Sequence, residues 1–166
     1  MTYKIGDTFE NDENYSDRVL WADENGATIE DLGNGKFKLV ELPQPSLDEL
    51  KEAKREEINK ARDAEEQGGF SYMGKVFDSD QVSAQRISMA AQAMALAPEG
   101  ATITWTCQDN TTIDLAAKDL AGLVVALATW SNTCHEKATA LKYQIEAAKT
   151  TEELEKITWD DNPSTL

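Results

Sequence analysis

The longest regular pattern of apolar positions spans residues 116–148, where Val124, Leu127, Ser131, Cys134, Ala138, Leu141, Ile145 and Ala148 recur at alternating steps of three and four. That spacing is the heptad rhythm of a helix with one narrow apolar seam. No Pro or Gly interrupts it after Gly122, so it predicts a single helix about 50 Å long at ~1.5 Å per residue. The seam is thin. Ser131, Cys134 and Ala138 near its middle allow close helix approach. They also bury far less than leucine would, at about 25 cal/mol per Å² of apolar area. Such a helix needs neighbours, either helices of its own chain or copies of itself.

The N-terminal rhythm is different. Two Asn-Gly dipeptides, Asn25-Gly26 and Asn34-Gly35, signal hairpins, because both residues tolerate the positive φ of a type I′ turn. They predict strands over residues 18–22, 27–31 and 36–41. Lys36-Phe37-Lys38-Leu39 alternates polar and apolar as a half-buried strand does. The polar run 10–14 reads as a loop. A three-stranded sheet is marginal alone. Leu42-Pro43-Gln44-Pro45 closes this region as a stiff, extended connector that suits a hinge.

Helical spacing resumes at Ser46, which forms a capping box with Glu49. This helix is expected to run to Gln67 and stop at Gly68-Gly69, with a stripe of Leu47, Leu50, Ala53, Ile58, Ala61 and Ala64. A second hairpin follows over residues 70–77, turning at Met73-Gly74. Asp78, Ser79 or Asp80 caps a further helix reaching about Ala97, with Val82, Ile87, Ala90, Met94 and Ala97 on one face. The clearest strand signal comes next: Ile103, Trp105 and Cys107 alternate with Thr102, Thr104 and Thr106. That third hairpin turns at Asp109-Asn110 and leads into the long helix. Thr150 and Glu153 cap a short helix carrying Leu154 and Ile157. The fold class is α+β. A small antiparallel β-meander occupies 1–45 and a linking helix 46–69. A helical domain with the long helix and two hairpins covers 70–160, and a frayed polar tail ends the chain at 161–166.

Charge narrows the function. Thirty-one acidic residues face sixteen basic ones, a net charge of −15. Such a surface repels phosphate, which disfavours nucleic acid. No apolar run reaches the length of a membrane span and no signal-peptide core opens the sequence, so a cytoplasmic protein without a membrane anchor is expected. Cys107 and Cys134 have no ligand spacing around them. They read as reduced and buried, though a disulfide between them is not decided by sequence. The lone histidine, His135, neighbours Cys134, but adjacent helical side chains point about 100° apart and do not converge. Asp12, Asp78 and Asp80 lack the spacing and glycine of an EF-hand. No Gly-rich phosphate loop or nucleophile elbow is present. No catalytic residue, cofactor or metal is expected. Trp105, Trp130 and Trp159 read as core where the third hairpin and last helix meet the long helix; the sharper alternative makes one of them an exposed partner anchor.

The order of short strings in the second half carries a resemblance. Leu47-Asp48-Glu49-Leu50-Lys51-Glu52-Ala53-Lys54 continues into Ile58-Asn59-Lys60-Ala61-Arg62-Asp63. Phe77-Asp78-Ser79-Asp80, Ile103-Thr104-Trp105-Thr106, Asp109-Asn110, Asp119-Leu120, Ala140-Leu141-Lys142 and Ala147-Ala148-Lys149-Thr150-Thr151-Glu152-Glu153-Leu154 follow. Together, over residues 47–159, they resemble an uncharacterised domain family of tailed-bacteriophage tail proteins, whose members are commonly labelled tail fibre or tail fibre assembly. The resemblance implies a non-enzymatic tail component that binds or links the tail fibre, or else an assembly chaperone not retained in the virion. It implies a tail fibre or other tail protein as partner, in the host cytoplasm during assembly and, for a virion component, in the tail. The candidate interaction or packing seam is Val124, Leu127, Cys134, Leu141 and Ile145, with Trp105, Trp130 and Trp159. Self-association through it, giving a homo-oligomer, stays open beside packing within the chain; a trimer follows only by analogy with trimeric fibres.

Overall fold

The structure, a computed structural model, describes residues 3–160; the tail expected over 161–166 lies outside the described residues. The chain divides into two compact units, one up to Ser46 and one from Leu47.

The first unit contains β1 (Thr8–Glu10), α1 (Tyr15–Glu24), β2 (Ala27–Gly33) and β3 (Lys36–Glu41). Its three strands form an antiparallel sheet in the order β1-β3-β2. The β2–β3 hairpin turns at Asn34 and Gly35, with φ of 54° and 77°, as Asn-Gly demands. Asn25-Gly26 acts differently. The Asn25 N–H donates to the carbonyls of Trp21 and Ala22, and Gly26 takes φ of 63°, which ends a helix. Residues 18–22, expected as a strand, are therefore helical. The inward-turned residues Arg18, Trp21 and Ala22 are spaced by a helical turn, not by two. Asp12 supports the start of this helix by accepting the Asn14 N–H at 3.0 Å and the Arg18 guanidinium at 2.5 and 3.1 Å. The third strand is instead β1, whose Phe9 lies opposite Phe37 and stacks on it at 5.8 Å. Ala22, Ala27 and Leu39 form the core.

The second unit is organised along one helix. Its elements are α2 (Leu47–Gln67), β4 (Phe70–Tyr72), β5 (Lys75–Phe77), α3 (Gln81–Met94), β6 (Thr102–Thr106), β7 (Thr112–Ala116), α4 (Ala117–Ala147) and α5 (Thr151–Glu155). The boundaries follow local chemistry. Asp80 caps α3 by accepting the N–H groups of Val82 and Ser83 at 2.9 and 3.2 Å. Asp119 accepts the Ala116 N–H at 3.0 Å where β7 passes directly into α4. Met73 and Gly74 turn the β4–β5 hairpin with φ of 49° and 74°. The Thr150 hydroxyl accepts the Glu153 N–H at 3.2 Å at the start of α5.

Two cores share α4. Its first half packs Leu120 and Leu123 against Phe70, Phe77, Ile87, Trp105 and Leu115 from the hairpins and α3. Its second half packs Ala138, Leu141 and Ile145 against Ile58 of α2 and Leu154 and Ile157 around α5. The long helix runs unbroken for 31 residues as expected. Helix α3 turns the expected Ile87, Ala90 and Met94 to the core, with Val82 as the exception. Its buried residues are Ser83 and Ile87, with Ala90, Ala91 and Met94 packed beside them. Val82, one position off that stripe and so about 100° around the helix, is 64% exposed.

Candidate protein-binding surface

The predicted seam is assembled, as core. Leu141 and Ile145 are fully buried, and Cys134 and Ala138 nearly so. Val124 and Leu127 are half-buried on the first core. The neighbours the helix needs are α2, α3, α5 and the hairpins of its own unit. Leu120 and Leu123 were missed; extending the same three-and-four rhythm back one turn from Leu127 finds them. Cys107 and Cys134 are free and buried. Burial, with Glu65 and Glu66 nearby, pushes the Cys134 thiol up from its ordinary value, which makes it a poor nucleophile.

The tryptophans occupy three distinct settings. Trp105 is buried beneath the Arg86 guanidinium, 5.1 Å from the ring centre. Trp130 and Trp159 are half-buried and both hold the end of α2. The Trp130 indole N–H donates to the Glu66 carbonyl at 3.2 Å. The Trp159 indole N–H donates to the Glu65 carboxylate, and its ring lies under the Lys137 ammonium at 4.4 Å. The Glu66 carboxylate in turn accepts the Ser131 hydroxyl at 2.5 Å and faces His135 Nε2 at 3.3 Å. His135 is thus occupied by a structural contact. Among the described residues no group of three or more His, Cys, Asp or Glu side chains is placed to hold a metal ion.

An open groove of about 440 Å³ lies between the β4–β5 hairpin and α4. Phe70, Val76, Ala126, Thr129, Trp130 and Thr133 line it. The Thr129 and Thr133 hydroxyls donate back to the carbonyls of Val125 and Thr129, each at 2.9 Å. Their hydrogen-bonding capacity as donors is spent inside the helix, so they add little polarity to the wall. Gln108 braces the backbone beside two of the groove's lining residues, Val76 and Gly69. Its backbone N–H donates to Val76 at 3.0 Å, and its side-chain amide to Gly68 at 2.9 Å. A side chain at Gly69, which has φ of 106°, would collide with that amide.

The groove belongs to the charge-poor part of the chain. Between residues 67 and 133 only nine positions are charged: Lys75, Asp78, Asp80, Arg86, Glu99, Asp109, Asp114, Lys118 and Asp119. Over the whole chain 28% are. Charge depletion with exposed apolar side chains marks the centre of protein interfaces. Met73, Val76 and Val125 are such side chains near the hairpin and on α4. The arrangement suits the docking of an apolar, uncharged protein segment.

A family model described as "Domain of unknown function (DUF4376)" matches residues 49–159, about two thirds of the chain and entirely within the second unit. No curated protein and no solved structure matches the chain.

Proposed function

The chain belongs to the DUF4376 family of domains of unknown function, and from its surface we propose that it is a non-enzymatic bacteriophage tail component that binds or links the tail fibre. The observation that carries the binding role is the apolar groove beside Trp130, set in the charge-poor part of a chain of net charge −15. A solvated surface in such a chain has no reason to lack charge there, whereas a docking surface does. The assignment to phage tails rests on the order of strings over residues 47–159 that resembles tail-fibre and tail-fibre-assembly proteins.

The test is co-expression with a tail fibre protein from the same genome, followed by the mass of the complex from light scattering. A heteromeric complex is expected. Val76→Asp, at an exposed groove position, should abolish it while the melting temperature stays unchanged. A chain that never associates with the fibre protein sinks the proposal. Retention at fixed stoichiometry in mature particles identifies a virion component. Absence from particles, with rescue of fibre solubility, identifies the assembly chaperone instead.

A further inference from the structure

The two Asn-Gly pairs of the first unit have opposite settings in the fold. The Asn25 carboxamide is held, because its Nδ2 donates to the Trp21 carbonyl at 2.8 Å. The Asn25 N–H donates to the carbonyls of Trp21 and Ala22, and the Gly26 carbonyl accepts the Leu42 N–H at 3.2 Å. Asn34 and Gly35 instead form the exposed tip of the β2–β3 hairpin, with φ of 54° and 77°. In a two-residue turn of this kind the bonds run between the flanking residues, here Gly33 and Lys36. Neither the Asn34 carboxamide nor the Gly35 N–H has a hydrogen-bond partner among the described residues.

We propose that Asn34 is a site of spontaneous modification, at which the backbone nitrogen of Gly35 displaces the side-chain amide, whereas Asn25 is protected by its place at the end of α1. In this step a bond forms between the Gly35 nitrogen and Asn34 Cγ, and the Cγ–Nδ2 bond breaks. The proton leaving the Gly35 nitrogen passes through solvent to Nδ2, which departs as ammonia. Water then opens the five-membered imide. Opening at Cγ gives aspartate. Opening at the main-chain carbonyl carbon gives isoaspartate, with the chain routed through Cβ and Cγ. One water is consumed and one ammonia released, and nothing is oxidised or reduced.

The glycine makes the attack reachable. Rotation about the Asn34 Cα–C bond must bring the carboxamide to the Gly35 nitrogen, and a glycine puts no Cβ in the path. At the hairpin tip this rotation loosens the terminal Gly33–Lys36 pair of the ladder. At Asn25 it must also break the carboxamide bond to Trp21 and disturb the end of α1. The two products differ in effect. Aspartate tolerates positive φ and keeps the turn. Isoaspartate adds an atom to the main chain of a two-residue tip, so the Gly33–Lys36 pair no longer closes. Either product adds a carboxylate near Asp31, whose own carboxylate accepts the Gly33 N–H at 2.8 Å. The site lies wholly within the first unit, and this inference does not depend on the fibre-binding reading.

The test incubates the full natural chain at mildly alkaline pH, which speeds loss of the Gly35 amide proton. Trypsin leaves both Asn-Gly pairs in one peptide, residues 19–36. Fragmenting that peptide in a mass spectrometer reads the amide-to-acid mass gain at each position from one sample. Asn34 should convert at least about fivefold faster than Asn25, the factor that one net hydrogen bond represents. In urea the two should convert at similar rates, which assigns the difference to the fold. Isoaspartate should accompany aspartate at position 34, as the imide route requires. Equal rates in the folded chain, or a faster Asn25, overturn the proposal. So does an Asn34 that stays intact while the urea sample converts, and so does aspartate without isoaspartate at position 34.

Discussion

The indole N–H of Trp130 donates to the carbonyl of Glu66 at 3.2 Å, and by this bond α4 closes the C-terminal end of α2. The last carbonyls of a helix have no partner within it. The Ser79 hydroxyl donates to the same oxygen and accepts the Gly69 N–H at 2.9 Å, so one site ties α2, the approach to α3, and α4. Trp130→Phe keeps an aromatic ring in the groove wall but removes one of two donors. It should cost about 0.5–1 kcal/mol in urea denaturation. Trp130→Ala should cost about 2–3 kcal/mol, below the range for a fully buried tryptophan because this one is half-buried.

Gly122→Ala tests how closely α4 approaches the β4–β5 hairpin. In an exposed helix the change would stabilise by up to about 1 kcal/mol through propensity alone. Here an added methyl group meets the hydroxyl and ring of Tyr72, which packs on the first core. Overpacking costs about 1–3 kcal/mol, so the sign should reverse and the melting temperature should fall. A rise would show that the Tyr72 ring moves aside freely.

Leu141→Ala and Ile145→Ala should each destabilise by about 2–5 kcal/mol, because both side chains are fully buried. The loss should be the same at every protein concentration. A seam completed by a second copy would instead give a loss that grows as concentration rises, because the natural chain gains more from association than the variant does.

Much of the second unit was legible because its signals are local. The Met73-Gly74 turn, the Asp80 cap, the alternation through Trp105 and the three-and-four rhythm of α4 each depend on neighbours in sequence, and each appears where its residues place it. What local signals missed depends on contacts made at a distance. Asn-Gly fits both a hairpin and a helix end, and only the pairing of Phe9 with Phe37 decides that Thr8–Glu10 is the third strand. Val82 was misplaced on α3 for a related reason. Val82 and Ile87 both fit an apolar stripe, and only packing against Trp105 and Leu120 selects Ile87. The groove beside Trp130 joins segments 50 or more residues apart, and no periodicity announces it.

Two carboxylates give the second unit a specific acid sensitivity. Arg55 holds the Glu146 carboxyl below its ordinary value through their hydrogen-bonded ion pair, and so bridges α2 to the end of α4. The Lys51 ammonium adds a bond to the Glu146 carbonyl at 2.8 Å. Asp80 is held down first by the Ser83 hydroxyl, which donates at 2.6 Å, and then by the capped N–H groups. A carboxyl whose folded value is depressed contributes stability that is complete above its unfolded value, near 4. That contribution is lost as pH falls through the lower folded value. Glu146→Gln and Asp80→Asn should therefore melt lower than the natural chain at neutral pH. Both gaps should close as pH falls from about 5 through the carboxylate range. Salt separates the two sites. The Arg55–Glu146 pair is solvent-exposed and screened, so high salt should narrow the Glu146→Gln gap. The Asp80 cap works through short hydrogen bonds within one turn, so the Asp80→Asn gap should persist in salt. A Glu146→Gln gap that is independent of both pH and salt would assign the effect to packing of the side chain and not to its charge.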